Sequence, residues 1–497
     1  MLKENTMTTS LTLSALSLAL ALAGCASIPP DTQVLPQQDL AKVQLAADIH
    51  LASEGWPAAR WWRQFQDAQL DQLIEGALAA SPSLDVANAR IGAALAAFDA
   101  QHAQRGPNVD LGADAGRQRY SANGLMPAPI GGNYYNEVTV GVQAHYDLDW
   151  WGKHKAQIAA SLGEVNARRA EYAMAQQMLA AEIAKHYFSM QSGWARMDNL
   201  HALVNLQRQL VVDKEKRIAN GLGVSDDHLS AQTRLSLLQQ QIALLETQVV
   251  TEREALRALL GTSLGADGTA LASLRPHQAQ ALPHALPGKL GMELLARRPD
   301  LQAARWRVQA SLSNIEAAQA SFYPDIDLGA SFGLDAIKLG KLLESGSRTL
   351  FIGPALSLPL FDSGRLQAQL GGARSERNAL IADYNQSVFN VVRDVAQAGA
   401  RVQGVENQLR LQEDNLRASE AQLRNAHARL AQGLADRATE LNAEMTVRGQ
   451  VDLGMQLQNQ RQNAEINLTV ALGGGYRGSS DVTASASGID SGTDSKQ

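Results

Sequence analysis

The chain has 497 residues, room for two to four ordinary domains or for one long helical or barrel architecture. With 44 Lys and Arg against 50 Asp and Glu the net charge is −6, so no basic field exists to hold nucleic acid. Apolar residues make up 45% but aromatics only 5%, the profile of Ala- and Leu-rich helix, and the single cysteine, Cys25, excludes an intramolecular disulfide and a cysteine metal cage.

Leu11 to Ala23 form a mostly apolar run, too short to span a bilayer, which takes ~20 residues. Lys3 supplies a weak positive start, and residues 1–24 read as a signal peptide. The run closes on Leu22-Ala23-Gly24-Cys25, which resembles a bacterial lipobox. That resemblance implies that the Cys25 thiol takes a diacylglyceryl group and the freed amine is acylated, with Ala26 directing the chain to the outer membrane; several acyl chains anchor stably where one is marginal. An ordinary secretory signal with an incidental cysteine is the alternative. No later window offers ~18 uninterrupted apolar residues, so the mature chain is expected to be soluble, lipid-tethered or a barrel.

After a linker over 25–62, a first repeat is expected over 63–265. Val109, Leu111, Ala113 and Ala115 alternate weakly with polar residues, a turn-rich stretch runs from Ser121 to Asn133, and Val138 to Trp150 alternates far too regularly for a helix. Lys153 to about Asn220 contains no proline and only Gly163 and Gly193, so one helix of ~100 Å is expected at 1.5 Å per residue. Gly221 ends it, and Gly221, Leu222 and Gly223 are expected to form a helix-turn-helix tip. The return path carries a heptad, Leu235, Leu238, Ile242, Leu245, Val249, Leu256 and Leu259, broken at Glu252. Gly261-Thr262-Ser263-Leu264-Gly265 matches the nucleophile elbow G-x-S-x-G, but a helix precedes it where that motif needs a strand. No catalytic constellation, cofactor motif or metal-ligand spacing is visible, so neither an enzyme nor a metal site is expected.

Beyond an inter-repeat linker over 266–289, residues 290–473 repeat the pattern. Pro82 to Ala113 aligns without gaps on Pro299 to Ala330, down to Asp110-Leu111-Gly112-Ala113 against Asp327-Leu328-Gly329-Ala330. Further on, Gly152, Arg217, Gly221 and Gly261 correspond to Gly364, Arg429, Gly433 and Gly473. Ile326 to Leu334 alternates as a strand, and Leu350 to Leu360 supplies a fourth despite Pro354 and Pro359. Arg365 to Gln432 matches the long helix, and Leu409, Leu416, Ser419, Leu423, Ala426 and Leu430 repeat the heptad spacing. Gly433, Leu434 and Ala435 form the second expected tip, and a polar tail follows from 474.

Alternation over about ten residues is the signature of a membrane barrel strand, yet four strands cannot close a barrel, which needs at least ~8. An open edge in lipid leaves backbone groups unpaired, so assembly of several copies is required. A soluble sandwich is the competing reading of the strands.

These features together resemble the TolC-type outer-membrane factors, specifically their lipoprotein, NodT-like branch. The residues that carry the resemblance are Trp61-Trp62-Arg63-Gln64-Phe65, Arg298-Pro299-Asp300-Leu301, Phe322-Tyr323-Pro324, Leu360-Phe361-Asp362-Ser363-Gly364-Arg365, and the arginines four positions before Gly221 and Gly433. The resemblance implies a mainly α fold with a β-barrel part: a homotrimer of four strands each, closing a 12-stranded barrel above a helical tunnel. It further implies a drug-efflux exit duct, with a periplasmic adaptor and an inner-membrane pump as partners and outer-membrane lipid around it. Type I protein secretion would use the same duct. A lipid-anchored coiled-coil tether, from another class, explains the helices and Cys25 but not the alternating hairpins.

Many relatives narrow the tunnel past the second tip with an apolar residue and, four positions on, an aspartate. The matching positions are Ala438 and Asn442, which would make a weaker constriction. Glu440, between them, faces elsewhere at ~100° per residue. The first copy has Asp226 where the second has Ala438, so an acidic ring displaced to Asp226 is one expectation. The other is that Asp226 and Asp227 follow an N-cap at Ser225 and complement the helix dipole.

Overall fold

The computed structural model describes residues 28–39, 56–261, 271, 274–276, 297–359 and 361–477. Cys25, most of the inter-repeat linker, Ser263 and the tail beyond 477 lie outside the described residues. Each half of the chain runs through the same elements. The first has α1 (Ala68–Ala80), α2 (Pro82–Ala103), β1 (Asn108–Arg119), β2 (Tyr134–Asp147), α3 (Lys153–Ala219) and α4 (Ser225–Leu259). The second has α5 (Pro299–Ala320), β3 (Asp325–Ala336), β4 (Arg348–Ser357), α6 (Arg365–Ala431) and α7 (Arg437–Ala471). Both long helices have 67 residues, both return helices 35, and α2 and α5 have 22 each, so the repeat read in sequence is a repeat of structure. Among the described residues no helix is long and apolar enough to cross a membrane.

The chain divides into two units. The unit formed by residues 1–37, 90–168 and 304–384 holds one antiparallel sheet in the order β1-β2-β3-β4. Where β1 meets β2, Val109, Leu111 and Ala113 pair with Ala144, Val142 and Val140. The row continues through Ala330, Phe332 and Leu334 on β3 to Ile352, Leu350 and Arg348 on β4, so one face is apolar almost throughout. The first strand reads weakly in sequence because Gly112, Ala113, Ala115 and Gly116 are small, but its 12 residues pair fully. Pro354 sits opposite Leu328 in β4, the outermost strand of this protomer's sheet.

The second strand stops earlier than its alternation suggests. Asp147 Oδ1 accepts from Asp149 N at 2.7 Å, and Asp149 in turn accepts from His154 N and Lys155 N at 2.8 and 2.9 Å, capping α3. Leu148 still donates its N–H to Ile326 O at 3.2 Å, but Trp150 belongs to a turn, with Asp149 at φ +45°. In the same unit α3 packs closely on α5: a Cβ added at Gly163 would lie 2.9 Å from Ala310 Cβ.

An extended N-terminal segment lies along α6. Arg374 donates to the carbonyls of Pro29 and Pro30, Asn378 exchanges bonds with Gln33 and Leu35, and the buried Arg377 grips the Asp31 carboxylate. Ile28 packs beside Phe322, Leu366 and Leu370.

The other unit, residues 38–89, 169–303 and 385–497, contains the main hydrophobic core. Trp61, Phe65, Leu70, Leu73 and Ile74 from the N-terminal part meet Tyr187, Phe188 and Met190 of α3 and Val249 and Leu256 of α4. Each buried side chain of this size contributes ~1.5–3 kcal/mol. Tyr187 donates to Asp67 Oδ2 at 2.6 Å, while Asp67 Oδ1 caps α1 at Gln69 N and Leu70 N. Burial, and then the Asp67 carboxylate, push the Tyr187 hydroxyl well above its usual range. The heptad residues Ile242 and Leu245 pack on Leu200, Leu203 and Val204. The break at Glu252 is filled by chemistry: its Oε2 lies 2.5 Å from His186 Nδ1 on α3.

Candidate functional site: the sheet and the helical tips

Charge on the sheet sorts by face without exception. Register places Asp110, Asp114, Glu137, Asp147, Asp325, Asp327 and Asp335 on the polar face, and no Lys or Arg of a strand joins them. The three strand arginines, Arg117, Arg119 and Arg348, are all on the apolar face. A row of glycines, Gly112, Gly141 and Gly333, crosses three strands on the polar side. A Cβ at Gly333 would lie 2.8 Å from Val140 O and 3.0 Å from Gly141 Cα, so only glycine fits there. The close approach is between β2 and β3, since Gly112 on β1 has open space around its Cβ. One acidic face and one apolar face suit a barrel sector with an acidic lining and an apolar exterior.

All four helix connections leave from one end of the sheet and both hairpin turns, 120–133 and 337–347, lie at the other. At the helix end Asp147, Asp325 and Asp327 bring carboxylate oxygens within 4.8 Å of one another. They are compensated by His154 at 2.6 Å, Lys153 at 3.4 Å and His145 at 3.2 Å. Nearby Trp151 stacks on Tyr323 at 4.6 Å and donates its indole N–H to Pro324 O, while Trp150 is exposed. Such amphipathic rings suit a membrane–water boundary.

At the far ends of α3 and α6 the two tips have the same backbone. Gly221 has φ +73° and Gly433 φ +70°. Leu222 N donates to Arg217 O and Leu434 N to Arg429 O, both at 2.8 Å, with the companion bonds Gly221 N to Ile218 O and Gly433 N to Leu430 O. These are paired Schellman closures, which need the left-handed glycine. Leu222 and Leu434 are left 73% and 65% exposed, and Gly223 and Ala435 complete the turns.

The side chains around the tips differ between repeats. Arg217 reaches from the first tip to Asp436 of the second at 2.6 Å. Asp436 also caps α7 through Thr439 N at 2.9 Å and Thr439 Oγ1 at 2.6 Å. Of the aperture candidates, Ala438 is buried with Leu206, Leu210 and Leu441, and Asn442 is exposed with its amide donating to Ala438 O. Glu440 is buried, its Oε1 2.6 Å from His427 Nδ1 and its Oε2 held by Arg437. The hydrogen bond from His427 keeps the Glu440 carboxyl below its ordinary value, aided by Arg437 and opposed by burial. Asp226 is exposed in the first turn of α4 beside Asp227, which pairs with Lys214 at 3.2 Å. The N-cap of α4 is Val224 with no side-chain bond, one residue before the expected Ser225. Arg217–Asp436, His427–Glu440 and Arg196–Asp452, the last at 3.0 and 3.2 Å, have no signal in sequence, since each joins residues on different helices.

The family model described as outer membrane efflux protein matches residues 73–262 and 290–474, one segment for each repeat. The multidrug resistance outer membrane protein MdtP of Escherichia coli K12 is 38% identical over 464 residues, covering 92% of this chain and 94% of that protein. The putative multidrug resistance outer membrane protein MdtQ of the same strain is 36% identical over 473 residues, 93% and 97% of the two chains. The crystal structure of the outer membrane protein VceC from Vibrio cholerae superposes with a TM-score of 0.75 at 31% identity, over 85% of this chain and all of that one. With both repeats matched and these relatives similar along nearly their whole length, the chain belongs to the outer membrane efflux protein family.

Proposed function

We propose that the protein is the outer-membrane exit duct of a tripartite efflux system for small toxic compounds. Three copies join β4 of one to β1 of the next and close a 12-stranded barrel from the four strands of each. The observation that carries this reading is the sheet: one face apolar, the other acidic, with both edges unpaired in one protomer. Its nearest functional support is that relatives similar over more than nine-tenths of the chain bear multidrug resistance in their names.

The exposed leucines of the tips, Leu222 and Leu434, meet a periplasmic adaptor, which links the duct to an inner-membrane pump. Acylated Cys25 adds a lipid anchor to the barrel's own hold on the membrane. The test is expression in a strain lacking its efflux ducts: tolerance to toxic compounds should return, and Gly221→Pro or Gly433→Pro should abolish it while the trimer still forms. Restored export of a protein without drug tolerance would assign the duct to secretion instead.

A further inference from the structure

The arginines on the apolar face point to a specific lipid. In a barrel that face meets hydrocarbon, where an arginine is expensive at midplane and nearly free at headgroup level. Arg117 and Arg119 end β1 and Arg348 begins β4, so all three lie toward the hairpin turns, away from the helices. Arg117 and Arg119 stand 5.1 and 5.9 Å from the centre of the Tyr134 ring, an arrangement that holds their guanidinium groups against an aromatic at the boundary. Every strand carboxylate is on the other face, and among the described residues none pairs with any of the three. The 120–133 turn carries no charge at all, and the 337–347 turn adds Lys338 and Lys341 against Glu344. In a chain of net charge −6, cations are thus concentrated on one rim of the lipid-facing surface.

We propose that this rim binds the phosphate groups of the phosphorylated glycolipid that fills the outer leaflet of the outer membrane. This rests on the barrel reading above, which puts the hairpin turns on the outside of the cell. Guanidinium forks match phosphate oxygens in a bidentate manner, and the Tyr134 ring keeps two of them pre-positioned. An outer-leaflet headgroup supplies the anion that the protein itself withholds from this face.

The test uses the full chain purified in detergent, with native mass measurement of lipids retained on titration with bisphosphorylated lipid A, dephosphorylated lipid A and a zwitterionic phospholipid. Bisphosphorylated lipid A should be retained preferentially, and each of Arg117→Gln, Arg119→Gln and Arg348→Gln should weaken it roughly tenfold, the size of one charge-assisted hydrogen bond. Because the lipid comparison is made on the unmutated protein, a misfolded variant does not blunt it. A trimer that holds all three lipids equally overturns the proposal and leaves the barrel standing. A protein that is monomeric in detergent and binds none sinks both.

Discussion

Asp436 works at two joints of the second tip, ending one helix hairpin's turn and tying it to the other hairpin. Hydrogen bonds from the Thr439 side chain and backbone, followed by Arg217, push its carboxyl down to about 2 from an ordinary 3.8. A carboxyl depressed on folding stabilises above its unfolded value and loses that contribution as pH falls through the folded one. The clasp should therefore hold at neutral pH and fail between about pH 4 and pH 2, which hydrogen exchange at the start of α7 would register. Asp436→Ala should cost ~1 kcal/mol as a lost cap alone. Glu440 is placed differently: its carboxylate is buried but its partners His427 and Arg437 are exposed and can turn to water, so Glu440→Ala should cost only ~1 kcal/mol. Single-channel recording separates Asp226 from Glu440 as the acid of the aperture. Asp226→Asn should raise conductance or weaken cation selectivity if the exposed Asp226 lines the aperture, and a change only with Glu440→Gln would assign the ring there. Arg437–Glu440 is legible as an i,i+3 pair on one helix, but Arg217–Asp436 is not, because the two lie 219 positions apart and no periodicity relates them. The tips themselves are legible, since a left-handed closure after a long helix needs the glycines at 221 and 433.

At the scale of elements, the close approach of β2 and β3 depends on glycine. Gly141→Val or Gly333→Val would drive a side chain into the neighbouring strand's backbone, with no flexible atom to give way. Either should block barrel assembly, seen as loss of the trimer from outer-membrane extracts, whereas Gly112→Val, with open space around its Cβ, should be tolerated. The N-terminal segment offers a second case. Arg377 is buried against Asp31, whose carboxyl it holds below the usual range, so Arg377→Gln should release residues 29–37 and raise their hydrogen exchange without unfolding the sheet. Helices and strands were readable from their periods, because 67 residues without proline and strict alternation admit few other structures. The end of β2 was not. Alternation continues through Trp150, but the Asp147 and Asp149 side chains take over the backbone donors and turn the chain into α3. Side-chain to backbone competition of this kind leaves the hydrophobic pattern untouched.

For the whole molecule, the central expectation is a trimer. Crosslinking or native mass in detergent should show three copies, and a stable monomer rich in strand would contradict the shared barrel. Cys25→Ser should abolish acylation yet leave much of the protein in the outer membrane, since the barrel holds it independently; full release to the periplasm would favour a tether. The lining predicts selectivity as well: seven carboxylates and no strand Lys or Arg on the polar face should favour cations in a salt-gradient measurement. Duplication of the hairpin gave each protomer two tips of one backbone design, so three protomers set six hairpins in a ring. The fastening does not follow that sixfold plan. Val224 stands where the second repeat has Asp436, and Arg429, the counterpart of Arg217, reaches only the Leu434 carbonyl at 3.5 Å. Within each protomer, therefore, the ion pair from Arg217 to Asp436 yokes the two hairpins at their tips, and no copy of it runs the other way. A force applied to one tip is thus passed to its yokemate in the same protomer.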